Sequence, residues 1–282
     1  MKSKLGKIIC LVWLLVIYPV CAAAHGDLHS QIAAVTLLIK KDPNNAKLYL
    51  KRGELYRQHQ DWEEALSDFN RAEKLNPELE EVLYARGRMF FESGQFELAK
   101  KELDKFLSSK HTHIEALITR ARTLTRLKES QSAIDDFTNA INLSEKPSPD
   151  LFVERAKADP STDNAIKGLD EGIVQLGEIV TLEMFAIELE LKRKGWDNAL
   201  LRIERISKQF PRKEKLLFKR GGILLLADRK VEALTSFQSS LKEIESMPNR
   251  LRMLENTVQL EKAVRAEIEK LKANSSDDKK IF

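Results

Sequence analysis

A pattern that returns every 34 residues constrains this chain more than any other feature of it. Gly53, Gly87 and Ala121 are spaced by that interval; so are Tyr56, Phe90 and Leu124, then Ala65, Ala99 and Ala133, then Phe69, Leu103 and Phe137. A fixed period of roughly 20 to 50 residues marks stacked supersecondary units, none of which closes a core alone. Within each period, apolar residues recur twice at helical spacing with a break between. Tyr49, Gly53 and Tyr56 share one helix face, and Ala65, Phe69 and Ala72 share the next. His59 to Asp61 forms the turn, and Asn76-Pro77 ends the pair, because the residue before proline is pushed out of the helical region. Each period therefore reads as a helical hairpin.

These residues resemble the tetratricopeptide repeat, whose signature places an aromatic, a small residue and an aromatic on the first helix, then alanine, an aromatic and alanine on the second, then proline. The first copy carries Tyr49, Gly53, Tyr56, Ala65, Phe69, Ala72 and Pro77. The second carries Leu83, Gly87, Phe90, Gly94, Phe96, Ala99 and Leu103, with Phe106 in place of the last alanine and His111 in place of proline. The third carries Leu117, Ala121, Leu124, Ala133, Phe137 and Ala140. Beyond residue 147 the period slips. Phe152, Ala156, Ala165 and Leu169 read as a fourth copy with a shortened turn, and Trp196, Ala199, Ile203 and Pro211 close a fifth whose first helix spans about 179–194. Gly221, Leu224, Ala233 and Phe237 restore the original order in a sixth.

The resemblance spans roughly residues 28–272 and implies an all-α fold: a right-handed superhelical solenoid of antiparallel helix pairs, about six repeats with terminal capping helices. The expected division is a signal at 1–24, a leading capping helix at 25–45, and three clear repeats at 46–147. Two divergent repeats at 148–213, the sixth at 214–247, a C-terminal capping helix at 248–273 and a disordered polar tail at 274–282 follow. Terminal units of a solenoid must cover the last apolar face with a more polar one. The whole is taken as one continuous domain, with Pro147-Ser148-Pro149 its one plausible hinge.

The first residues read as an export signal: Lys2, Lys4 and Lys7, then an apolar run from Ile8 to Val20, then Ala22, Ala23 and Ala24. That run is shorter than the roughly 18 to 20 apolar residues a membrane span needs. Cleavage is expected after Ala24. Bulky Val20 before Cys21 disfavours a lipid anchor at that cysteine. Both cysteines, Cys10 and Cys21, fall inside the signal, so the mature chain must hold together by packing without disulfides. Loss of the three lysines lowers the formal net charge from +4 to +1. Such a balanced chain has no basic field for phosphate backbones, and nucleic acid is not an expected partner.

A second column accompanies the small residues. Arg52, Arg86, Arg120, Arg155 and Arg220 each stand directly before one of them. Asp68, Glu102 and Asp136 occupy a fixed place on the second helix of the first three copies, which points to a pairing inside each hairpin. In the fourth and sixth copies Gly168 and Ser236 hold the acid's place, which leaves Arg155 and Arg220 the freer to bind a ligand.

In the resembled family the first helices line a concave groove. The positions this implies here are Leu50, Glu54 and Arg57, then Tyr84, Arg88 and Phe91, then Ile118 and Arg122, then Val153 and Lys157, then Phe218. Leu50, Tyr84, Ile118, Val153 and Phe218 make an apolar track flanked by charges, suited to a protein or peptide partner; the same positions also suit plain packing. Members that clamp a carboxylate terminus carry lysine and asparagine where Leu50 and Glu54 stand, so that function is not carried over. No Gly-rich phosphate loop, HExxH or GxSxG motif occurs, and neither catalytic residues nor a cofactor is expected.

The expected function is thus a non-catalytic protein-interaction scaffold of the cell envelope, periplasmic in a bacterium and otherwise secreted. The alternative is a metal-linked accessory protein in which His25, leading the mature chain with its free amine, joins His29 to hold copper or zinc. N-terminal sequencing of the exported product is expected to begin at His25, and a product that retains Lys2 to Lys7 would overturn the cleavage site.

Overall fold

In a computed structural model, residues 27–177 and 179–278 are described. The export signal, His25 and the last four residues lie outside them. The described residues form helices joined by short turns. Helix α1 spans residues 27–41. It precedes three hairpins: α2 (Ala46–His59) with α3 (Trp62–Leu75), α4 (Glu81–Glu92) with α5 (Phe96–Ser109), and α6 (Ile114–Arg126) with α7 (Ser130–Leu143). A second series holds α8 (Pro149–Ala158) with α9 (Thr162–Leu176), α10 (Val180–Lys192) with α11 (Trp196–Gln209), and α12 (Glu214–Leu226) with α13 (Lys230–Glu245). The short α14 (Asn249–Arg252) and the long α15 (Glu255–Asp278) close it. The chain divides into two compact units between Pro147 and Ser148, at the Pro-Ser-Pro segment.

Five of the six hairpins turn in the same way. Gln60, Gly94, Lys128, Lys194 and Asp228 each adopt a left-handed backbone, with φ between 56° and 79°. The next residue then donates its N–H to a carbonyl five positions back: Asp61 to Tyr56, Gln95 to Phe90, Glu129 to Leu124, Gly195 to Glu190 and Arg229 to Leu224. This closure satisfies carbonyls that a helix end leaves unpaired. The exception is α8–α9. There Pro160 interrupts the chain, Asp159 accepts the Ser161 N–H, and the Ser161 hydroxyl caps α9 by accepting from the Asn164 N–H. That is the physical form of the shortened turn in the fourth copy.

The hairpins close by exchange of volume between two facing positions. A Cβ built on Gly53 would lie 2.6 Å from Phe69 Cε1, and one on Gly87 2.8 Å from Leu103 Cγ. On Gly221 it would clash with the Phe237 ring. Ala121 faces Phe137 at the same place, both fully buried. In the fifth hairpin Ile187 takes the small residue's place and Ile203 the aromatic's, both buried, so a medium pair replaces a small and a large one. The fourth inverts the arrangement: Phe152 is on the first helix, and a Cβ on Gly172 of the second would lie 2.7 Å from its ring.

The arginine column does more than pair within its hairpin. Arg52 grips both Asp68 oxygens at 2.7 and 2.8 Å and donates to Thr36 Oγ1 on the preceding helix. Arg86 binds Glu102 and also Asn70 and Glu73. Arg120 grips both Asp136 oxygens and reaches back to Asp104. Each guanidinium thus spans the partner 16 residues ahead and another 16 residues behind. Arg155 departs from the sequence expectation, because it is engaged: its Nη2 donates to the Gly168 carbonyl and to Glu171. The missing side chain at Gly168 makes room for the guanidinium, which a Cβ there would meet at 2.9 Å.

The C-terminal segment also differs from the single capping helix expected over 248–273. A break at Met253 and Leu254 separates α14 from α15 and lets Arg252 pair with Glu261 at 2.9 Å. Arg252 and Arg265 together hold the Glu261 carboxyl at about 2. Val264 and Ile268 bury α15 in the core of the second unit, and with no glycine or proline to stop it the helix runs through Asp278.

Two outcomes test these contacts. Gly53→Ala is expected to destabilise by about 1 to 3 kcal/mol despite alanine's better helix propensity, because the fully buried Phe69 ring has nowhere to go. Phe69→Leu in the same chain should recover part of that loss in urea unfolding. Asp68→Ala, which strands Arg52, should cost about 3 kcal/mol, whereas Arg52→Met with Asp68→Leu should lie within about 1 kcal/mol of the parent. Equal losses for the single and the double change would refute the ladder as a charge pairing.

Candidate functional site

A cleft of about 420 Å³ opens between α4 and α6 in the first unit. Tyr84, Arg88, Phe91 and Glu92 come from α4, and Glu115, Ile118, Thr119 and Arg122 from α6. The register follows from helix geometry: with Gly87 and Ala121 committed to the hairpin interior, residues three positions before and one position after them lie about 60° and 100° round the helix, on the flank beside that interior. That places Tyr84 and Arg88 on one wall and Ile118 and Arg122 on the other.

Most of the apolar floor is anchored from behind. The Tyr84 ring stacks on Phe106 at 5.4 Å between centroids and meets His113 at 4.9 Å. Burial holds its phenol above the usual range; Arg88 pulls it down and Glu115 adds to the rise. The Arg88 guanidinium lies 5.4 Å over the Tyr84 ring, and Phe91 tilts against Phe96. Ile118 packs on the core formed by Leu103, Phe106 and Leu117. The cleft offers rigid aromatic and aliphatic surface with one arginine on each wall.

The other positions expected in the groove have different roles. Arg57 is buried: it donates to Glu54 at 2.9 Å and to both oxygens of Glu92 at 2.6 Å, so it orients one of the cleft's two acids and is not itself open to a partner. Leu50 is half-buried against the core around Phe69. In the second unit, Lys157 lies 5.5 Å over the Phe185 ring, Phe218 packs on Phe237 at 5.5 Å, and Val153 is half-buried. Glu92 and Thr119 line the cleft without having been expected there. The pairing of Arg57 with Glu92, one period plus one residue apart, was the available signal for the first.

The histidines sort differently as well. His113 caps α6 by accepting the Ala116 N–H at 3.1 Å and stands 3.6 Å from Glu115. His29 meets the His59 ring at 4.5 Å, and His59 Nδ1 lies 3.0 Å from Asp61. Among the described residues no group of three or more His, Cys, Asp or Glu side chains is arranged to hold a metal ion. His25 is outside them.

A charge network absent from the sequence reading fills the fifth hairpin. The acid's place on the second helix is taken by Arg202, which binds Asp170 at 2.7 and 2.9 Å and Glu183 at 3.0 Å. Glu183 and Glu190 are fully buried on α10, and Arg193 clasps Glu190. The ladder is kept with its polarity exchanged between helices. A cleft of about 690 Å³ lies over it, lined by near-equal numbers of acids and bases that largely pair with each other.

Comparison with known proteins agrees with the helical-repeat fold. A family model described as the TPR repeat matches residues 53–94. No curated protein matches the chain. A tetratricopeptide repeat protein from Parabacteroides merdae is 22% identical, with 89% of this chain and 97% of that one covered at a TM-score of 0.52. The C-terminal part of a TPR repeat-containing protein from Cytophaga hutchinsonii is 13% identical, with 82% and 96% covered at a TM-score of 0.62. At such identities the likeness shows the fold alone: a helical scaffold of TPR type, with the repeat recognisable as such over residues 53–94.

Proposed function

We propose that this protein is a non-catalytic interaction scaffold that binds a protein or peptide partner through the α4–α6 cleft, in the cell envelope after export. Scaffolds of TPR type typically mediate protein–protein interaction. The observation that carries the reading here is the cleft itself, with Tyr84 and Ile118 held rigidly at its floor and Arg88 and Arg122 on opposite walls. A preorganised apolar floor lowers the ordering cost of binding, and flanking charges discriminate between partners. Export rests on the basic, apolar and small-residue segments of 1–24, and among the described residues no helix is long and apolar enough to cross a membrane.

The test is partner recovery from cells that export the tagged protein, after chemical crosslinking. Arg88→Glu with Arg122→Glu should reduce the specific crosslinked product by about tenfold or more, equivalent to about 1.4 kcal/mol of binding. Tyr84→Ala should do the same, with a lowered melting temperature because its ring also supports Phe106. Recovery indifferent to the paired charge reversal would dismiss the cleft as the binding surface.

A further inference from the structure

The positions that line the first unit's cleft have counterparts in the second unit whose chemistry has been rewritten. Helices α10 and α12 repeat α4 and α6 at an offset of 100 residues: the left-handed turn residues Gly94 and Lys128 become Lys194 and Asp228. The cleft positions Tyr84, Arg88, Phe91 and Glu92 become Met184, Glu188, Leu191 and Lys192. Glu115, Ile118, Thr119 and Arg122 become Lys215, Phe218, Lys219 and Gly222. Met184, Leu191 and Phe218 are half-buried on one core, so the apolar floor is kept. The charges are not kept. Both acids have become lysines, a third lysine is added, and the second wall's arginine is gone.

Gly222 is the informative position. Its neighbour Gly221 is required by packing, since a Cβ there would strike the Phe237 ring. A Cβ on Gly222 would meet nothing within 4 Å. Glycine inside a helix lowers its stability relative to alanine, and the fold gains nothing in return at this site. Bare backbone on a groove face is what a closely approaching second backbone requires. Beside it Leu226 is 61% exposed, at the helix place that Glu92, Arg126 and Lys192 hold on α4, α6 and α10. Lys192, Lys215 and Lys219 enter none of the ion pairs among the described residues, while Glu188 is the face's one acid.

We infer that the α12 face is a second docking site, for an acidic peptide segment whose apolar side chain lies against Phe218 and Leu226 and whose backbone crosses α12 at Gly222. Lys215 and Lys219 meet its carboxylates on either side of Phe218 in the first half of α12, and Leu226 supplies the second apolar contact at its end. The assignment rests on the groove-binding reading of this scaffold and names the partner's chemistry at a site separate from the α4–α6 cleft.

A displayed library of random dodecapeptides, panned on the mature protein, is the test. The enriched peptides should combine Asp or Glu with a large apolar residue. Their binding should fall about tenfold or more in Gly222→Gln and in Lys215→Glu with Lys219→Glu, and hold in Arg88→Glu with Arg122→Glu. Gly222→Gln should melt above the parent by about 1 to 3 °C, because a helix former replaces glycine in open space, which separates lost binding from lost folding. Enrichment of basic peptides, or undiminished binding by Gly222→Gln, would overturn the second site. Peptides lost only with Arg88 and Arg122 would overturn it while leaving the first cleft standing, and no enrichment at all would sink both.

Discussion

The guanidinium that bridges three helices is the constraint on which the stacked hairpins depend. A helical hairpin of some thirty residues has too little apolar surface to close its own core, so it must lean on a neighbour. Apolar contact alone is permissive about how two hairpins slide past each other. Arg52, Arg86 and Arg120 are not, because each must meet one partner 16 residues ahead and another 16 residues behind. A shielded guanidinium that loses a partner is costly, whereas one whose donors are all met is roughly neutral. The column therefore adds little net stability and a good deal of register. The first helix joins the same scheme, since Thr36 accepts from Arg52 as Asn70 and Asp104 accept from the next two arginines.

What the sequence showed and what it hid follow from this. Gly53 with Phe69 and Gly87 with Leu103 were legible because the same residue types recur at the same spacing. The arginine and acid columns were legible for the same reason, and both hold in the structure. The fifth hairpin was hard to align because it solves the same problems with other residues. Ile187 and Ile203 divide between them the volume that glycine and phenylalanine divide elsewhere. Arg202 sits where an acid should, with Glu183 and Glu190 on the facing helix. A pattern search compares residue types column by column, whereas packing constrains only the sum of a facing pair and electrostatics only the opposition of their signs. Arg155 was misread for a related cause: its column acid is gone, but Glu171 one turn later and a bare carbonyl at Gly168 take up the charge.

Of the positions expected in the groove, those on α4 and α6 line one cleft, and the roles of the others did not follow from the pattern. Periodicity says which residues point away from the hairpin interior; it does not say which of them another repeat will claim. Arg57 faces the groove by register and yet is buried, because Glu92 of the next repeat and Glu54 of its own consume its donors. Tyr84 faces it as well and stays half-open, since Phe106 and His113 support the ring from behind without covering its front. Such claims between repeats depend on distances across the stack, which a one-dimensional pattern does not carry.

Neighbouring residues can therefore answer to opposite demands. Gly221 and Gly222 are adjacent in α12, and both weaken the helix by the same loss of propensity. The first is repaid inside the hairpin by the close approach of Phe237; the second meets only solvent. In unit one the corresponding pair is Ala121 and Arg122, where the inner place is small for packing and the outer one carries a cleft arginine. Packing thus explains the inner residues of the column, while the outer ones answer to their separate neighbours: Glu54 holds the buried Arg57, Arg88 lies over the Tyr84 ring, Lys157 lies over the Phe185 ring, and at Gly222 an added Cβ would meet nothing within 4 Å.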